Sequence, residues 1–168
     1  MSQRERLLGR RIPPTRITIR VDFSAEADEA YAAFESALRD LESAESRGAD
    51  LVAAHTRAEE ARAALAPFRE VLVISPLAPD KYEELIGEHP ATEEQQGRGY
   101  AWNPDTFVPA LMAACIGQDL PPEDRLSEKD WLDWATTAHT GVAGELMAIY
   151  QACLQVNDRS PELHVGKG

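Results

Sequence analysis

A chain of 168 residues with 43% apolar residues has the material for one domain with a packed core, or one domain with a small satellite. No apolar run approaches the ~20 residues of a membrane-crossing helix, and the basic N-terminus lacks an apolar signal core, so neither a membrane partner nor export is expected. The net charge of −12 is uneven: residues 1–20 hold six arginines against Glu5, for +5, and the rest of the chain stands at −17. Such an acidic body argues against nucleic acid as the main partner, because phosphate binding needs a basic surface.

Residues 1–15 read as a basic, disordered tail closed by Pro13-Pro14. Arg16-Ile17-Thr18-Ile19-Arg20-Val21-Asp22-Phe23 then alternates strictly, with Ile17, Ile19, Val21 and Phe23 on one face, the period of a half-buried strand. Ser24 is placed to cap a helix striped by Tyr31, Phe34, Leu38 and Leu41, and Gly48 to end it. Asp50 is placed to cap a second helix, striped by Leu51, Ala54, Ala58, Ala61 and Leu65. The alanines favour close packing of the two as an antiparallel hairpin. Val71-Leu72-Val73-Ile74, closed by Ser75-Pro76, reads as a buried strand, and pairing it with the first strand makes a small sheet of open direction beneath the hairpin. Pro79 starts a short helix with Tyr82, Leu85 and Ile86 on one face, completing a unit over residues 16–87.

Residues 88–99 show no periodicity and many breakers, which predicts a linker and a domain boundary. A three-helix unit follows over residues 100–157, then a polar tail over residues 158–168. Asn103-Pro104 suits a cap and first helical position, but Pro109 predicts either a kinked first turn or a helix that begins only there, with Val108, Leu111, Met112 and Cys115 inward and Gly117 at its stop. Ser127 and Asp130 resemble a capping box, and Leu126 and Trp131 a hydrophobic staple. Trp131, Trp134, Ala135 and Ala138 form one stripe, and Val142, Leu146, Ile149, Tyr150, Cys153 and Val156 the next. The fold class expected is mainly α (α+β), with a helical hairpin and two-stranded sheet in the N-terminal half and a helical C-terminal unit.

Little here points to a reaction. His55, His89, His139 and His164 have no second ligand at helical spacing, so no metal site is expected. Cys115 and Cys153 lie on apolar stripes as core residues, and a reducing compartment follows. Gly97-Arg98-Gly99 lacks the context and lysine of a phosphate loop, no Gly-x-Ser-x-Gly occurs, and the acidic pairs lie on exposed helix faces. Neither an enzyme nor a cofactor is expected. What remains are aromatic side chains able to anchor a partner: Trp102, Phe107, Trp131 and Trp134, with core filling as the other role open to Trp131 and Trp134.

Several runs of the C-terminal half carry a resemblance. They are Trp102-Asn103-Pro104-Asp105-Thr106-Phe107-Val108-Pro109-Ala110-Leu111, the preceding Glu88-His89-Pro90-Ala91-Thr92, the acidic–aromatic helix from Glu128 to Trp134, Gly144-Glu145, and Ala152 through Val156-Asn157. Together they resemble the tail assembly chaperones of long-tailed actinobacterial bacteriophages, over about residues 80–160. The resemblance implies a cofactor-free protein of the host cytoplasm, absent from the mature virion. It binds and solubilises the tape-measure protein while tail tube subunits assemble, with the tail tube protein as a further candidate partner. It also implies minus-one ribosomal frameshifting near the end of the gene, for which codons of Val165, Gly166 and Lys167 permit a slippery heptamer. A structural adaptor retained in the particle is the alternative; oligomeric state is left open.

Overall fold

The computed structural model describes residues 2–9, 12–48, 50–137 and 143–158. Helix makes up 67% of the described residues, which also form one two-stranded antiparallel sheet, so the chain is mainly α with a small β element. Contacts divide it into two compact units, one of Thr18–Val71 and one of Met1–Ile17 with Leu72–Gly168, a division that falls within both strands. Ala138, His139 and Val142, with the tail from residue 159 that includes His164 and Val165 to Lys167, lie outside the described residues.

The N-terminal stretch carries a short helix, α1 (Gln3–Leu8), where a disordered tail was expected; Ser2 and Glu5 exchange capping hydrogen bonds at 2.6 and 3.2 Å. Strand β1 (Thr15–Arg20) ends three residues before the alternation does. The cause is local: the Arg20 Nε donates to the Asp22 carbonyl at 2.6 Å, and the Ser24 amide donates to the Asp22 carboxylate at 2.8 Å. This Asx-type turn draws the chain out of the ladder. Val21 and Phe23 are consequently exposed, at 53% and 70%, while Ile17 and Ile19 of the same expected face are half-buried.

In the Thr18–Val71 unit, α2 (Ala25–Arg47) and α3 (Leu51–Ala64) pack as the expected hairpin. Ser24 accepts from the Ala27 amide at 3.2 Å and Asp50 from the Ala53 amide at 3.1 Å, and Gly48 turns the chain at φ 65°. Only small side chains occupy the buried helix seam, Ala27 and Ala44 on α2 and Ala54 and Ala58 on α3. Close approach pushes larger groups aside: Tyr31, Phe34 and Leu41 are half-buried, and Leu38 and Leu51 are exposed. The Arg20 guanidinium lies 4.6 Å from the Phe23 ring centroid and 4.5 Å from that of Tyr31, and pairs with Asp28 at 2.6 Å. Arg20→Ala is expected to lower the stability of this unit by about 1–2 kcal/mol in urea titrations, two cation–π contacts being the larger part. Lysine, which lacks the planar stacking group, should not restore it. Asp28→Asn should cost less, because that carboxylate is exposed.

Strand β2 (Arg69–Ile74) follows a 3-10 turn, Ala66–Phe68, and begins two residues earlier than its apolar run. In the second unit its buried end, Ile74, bridges to Ile116, with Ser75 N donating to Cys115 O at 2.9 Å and Gly117 N to Val73 O at 3.1 Å. Gly117 is needed twice over, since its φ is 68° and a Cβ there would stand 3.1 Å from Leu120 Cδ1.

Helix α4 (Pro79–Glu88) begins at its proline as expected. The expected linker over residues 88–99 is instead a built strap. It contains α5 (Glu93–Gly97), closed by a capping box in which Thr92 and Gln95 exchange hydrogen bonds at 2.9 and 3.3 Å. Gln95 Nε2 donates to Asn103 Oδ1 at 3.1 Å, Asn103 N donates to His89 O at 2.9 Å, and Pro90 bridges to Trp102. A five-residue helix is too short to display a period, and side-chain hydrogen bonds hold it where periodicity cannot.

Helix α6 (Pro104–Cys115) starts at Pro104 and runs through Pro109, so it does not wait for the second proline. The missing Pro109 amide deprives the Asp105 carbonyl of its usual donor one turn on. Helix α6 is the centre of the unit, contributing buried Phe107, Ala110, Leu111, Met112 and Cys115. Helix α7 (Glu128–Thr136) and α8 (Ala143–Asn157) pack against it, burying Trp131 from the first and Ile149, Ala152, Cys153 and Val156 from the second. At the far end, Asn157 accepts from Leu77 N at 2.7 Å and donates to Cys153 O at 2.8 Å and Cys115 Sγ at 3.3 Å.

The capping box at Ser127 forms: Asp130 Oδ2 accepts from Ser127 Oγ at 2.6 Å and from Ser127 N at 2.8 Å. Leu126 is exposed while Trp131 is buried. The Ser127 hydroxyl, then its amide, holds the Asp130 carboxyl below the usual aspartate range. A depressed folded pKa means this cap supports α7 above the unfolded value of ~3.9 and fails as pH falls through the lower folded one. A carboxyl NMR titration should place the Asp130 midpoint below ~3.9, and Ser127→Ala should move it back towards that value.

Candidate functional site

The aromatic candidates separate once the helices pack. Phe107 is fully buried at a junction of three rings, with centroids of Trp102 at 4.8 Å, His89 at 6.2 Å and Tyr82 at 6.4 Å. It is core, and so is Trp131, at 2% exposure. Phe107 has no exposed surface because α6 sits centrally, and α7 turns its Trp131 side inward. Trp134, three residues on, meets Trp131 edge-to-face at 5.8 Å and is half-buried. Trp102 is also half-buried.

Trp102 belongs to a groove that no periodicity announces. Its first lobe, about 480 Å³, is lined by Tyr100, Trp102, Val108, Met147 and Tyr150 among others. A second lobe, about 410 Å³, is lined by Pro109, Met112, Trp131, Leu132 and Ala135 among others. Pro104, Val108 and Leu146 line both, so the two form one apolar trough over α6, α7, α8 and the turn before α6. Tyr100 at 49%, Met147 at 53% and Leu132 at 45% exposure stand on it. Exposed apolar side chains beside a shaped concavity mark a place for another molecule more than scattered surface ones do. Tyr100, Met147, Leu132 and Tyr150 were missed in the sequence as site residues. Met147 in α8 and Leu132 in α7 each carry a signal of their own, an apolar side chain off the buried stripe.

Burial pushes the Tyr150 phenol up, and a hydrogen bond from Trp102 pulls it partly back. Burial likewise raises Tyr82 behind Phe107. The Trp131 indole nitrogen is buried on the wall with no acceptor.

Cys115 and Cys153 are both buried with free thiols. Hydrogen bonds from Cys153 and then Asn157 lower Cys115, while donation to Cys115 and burial raise Cys153. Neither meets solvent, as the reading of both as core residues requires. Among the described residues no three His, Cys, Asp or Glu side chains are grouped to hold a metal, and no helix is long and apolar enough to cross a membrane. His55 is exposed on α3 and His89 lies half-buried against Phe107.

Charge is uneven in this unit: residues 1–17 carry five arginines against Glu5, and the remainder is acidic. Residues 72–158 carry 15 acidic and four basic side chains. Each of the four is engaged within the unit: Lys81 with Glu84 at 2.6 Å, Arg98 with Glu94 at 2.6 Å, Lys129 with Asp133, and Arg125 with Leu120 O at 2.9 Å and Gln118 O at 3.0 Å. Asp105 lines the second lobe, and Glu145 precedes Leu146; neither has an ion-pair partner among the described residues. Comparison with protein-family models, with curated proteins and with solved structures returns no match for this chain.

Proposed function

We propose that the chain is a phage tail assembly chaperone that binds helical segments of the tape-measure protein and keeps them in solution while the tail tube forms. The observation that carries the reading is the apolar trough over α6, α7 and α8, lined by Trp102, Val108, Leu146, Met147 and Tyr150. A trough of this kind suits an amphipathic helix laid in with its apolar face down. The sequence runs that resemble the chaperone family lie largely in and around the same elements. The surrounding negative charge would keep a complex with a long, aggregation-prone partner dispersed. On this reading the protein performs no chemistry, uses no cofactor, acts in the host cytoplasm and is left out of the finished particle. Minus-one frameshifting near Gly166-Lys167, which would append a longer tail to a fraction of the molecules, belongs to the same proposal.

Quantitative mass spectrometry of infected-cell extract and of purified particles tests it. The expected result is a complex with the tape-measure protein in extract and none of this chain in particles. A fixed copy number in particles would reject the chaperone role and favour a structural adaptor. The coding DNA across Val165 and Lys167 supplies an independent check: a slippery heptamer opening into a long minus-one frame supports the frameshift, and a non-slippery end removes it.

A further inference from the structure

We propose that the trough selects amphipathic helices whose apolar stripe is flanked by lysine and arginine. The inference rests on the helix-binding reading of the trough and adds a charge rule to it. Its apolar lining determines that the occupant has an apolar stripe. The two lobes share Pro104, Val108 and Leu146, so neighbouring anchor side chains, such as those at i and i+3 or i+4, can enter one each.

The charges determine what stands beside that stripe. All four basic groups of residues 72–158 are engaged with groups of that same stretch, which carries an excess of 11 negative charges; residues 1–17 of the unit add +4, leaving the two stretches together at −7. Asp105 lies in the trough wall, where its Oδ2 accepts from Gln95 Nε2 at 3.5 Å, and Glu145 precedes the shared Leu146 in α8, with no cation against either among the described residues. A helix bordered by Glu or Asp would bring like charge to both. A helix bordered by Lys or Arg would meet opposite charge at the rim, while Tyr100 and Met147 meet its apolar stripe.

The test uses the full chain and three labelled synthetic helical peptides, read by fluorescence anisotropy. Two share one apolar stripe and differ only in flanks, Lys/Arg in one and Glu in the other; the third keeps the basic composition with the stripe scrambled. The basic-flanked peptide is expected to bind about tenfold more tightly than the acidic one at low salt, the scale of two or three rim charges. The gap should close as salt shortens the screening length from about 30 Å at 0.01 M to about 3 Å at 1 M. Charge reversal at Asp105 and Glu145 together should narrow it at low salt. Equal binding of the two striped peptides, binding of neither, a gap that survives high salt, or equal binding of the scrambled peptide would each overturn the charge rule. Tape-measure co-purification is scored separately. If it occurs while the striped peptides bind equally, the chaperone reading stands and the charge rule falls; if it fails while the basic peptide is selected, the reverse holds.

Discussion

Phe107→Ala is expected to destabilise the protein by about 3–5 kcal/mol, the usual cost of deleting a fully buried aromatic ring and leaving a cavity. Phe107 has no exposed surface and is the common neighbour of Trp102, His89 and Tyr82, so three rings lose a packing partner at once. Against the ~5–15 kcal/mol that holds a typical domain together, such a loss approaches unfolding. Urea titration followed by circular dichroism measures it, with Phe107→Leu as the milder companion. Trp134→Phe, at a half-buried position, should cost under about 1 kcal/mol. A similar small value at Phe107 would mean that the α6 junction is not the core of the unit.

Met147→Glu, or Tyr100→Glu, is expected to abolish tape-measure co-purification and leave the urea midpoint within about 0.5 kcal/mol of the parent. Both side chains stand about half exposed on the trough, so the folded chain tolerates a charge there. A docked apolar helix does not, because the carboxylate would be desolvated without a partner. Met147→Ala should weaken binding without ending it. Trp131→Glu makes the contrast: at 2% exposure that charge would enter the core and unfold the protein, so its loss of binding would say nothing about a surface. Full binding by the Met147 and Tyr100 variants, folded and at wild-type stability, would move the interface away from the trough.

The elements legible in the sequence share one physical property: their determinants lie within four residues. Ser24, Asp50, Asn103 and Ser127 each cap the helix that follows, because a side-chain oxygen has only to reach an amide two or three residues on. Gly48 and Gly117 take positive φ, which backbone sterics reserve largely for glycine. The α+β balance, the hairpin and the second strand follow from such signals and from short-range apolar periodicity. Local chemistry of a less regular kind was harder to read. The Asx turn that cuts β1 at Arg20 and the Thr92–Gln95 box that turns an aperiodic stretch into a strap both depend on side-chain hydrogen bonds rather than on a repeat.

Burial was decided elsewhere. Phe107, Trp131, Trp102 and Trp134 were equivalent candidates in the sequence, since an aromatic side chain carries the same apolar area whether it fills a core or grips a partner. Only the packing of α6 between α7 and α8 places the first two inside and leaves the others half-exposed. The antiparallel sense of the sheet, the Leu77–Asn157 hydrogen bond across 80 residues and the trough itself likewise need groups far apart in the chain to meet. Caps and turns answer to their immediate neighbours, so the sequence by itself determined them. Which apolar surface remains uncovered depends on every other surface that has been covered, and tertiary structure alone decided that.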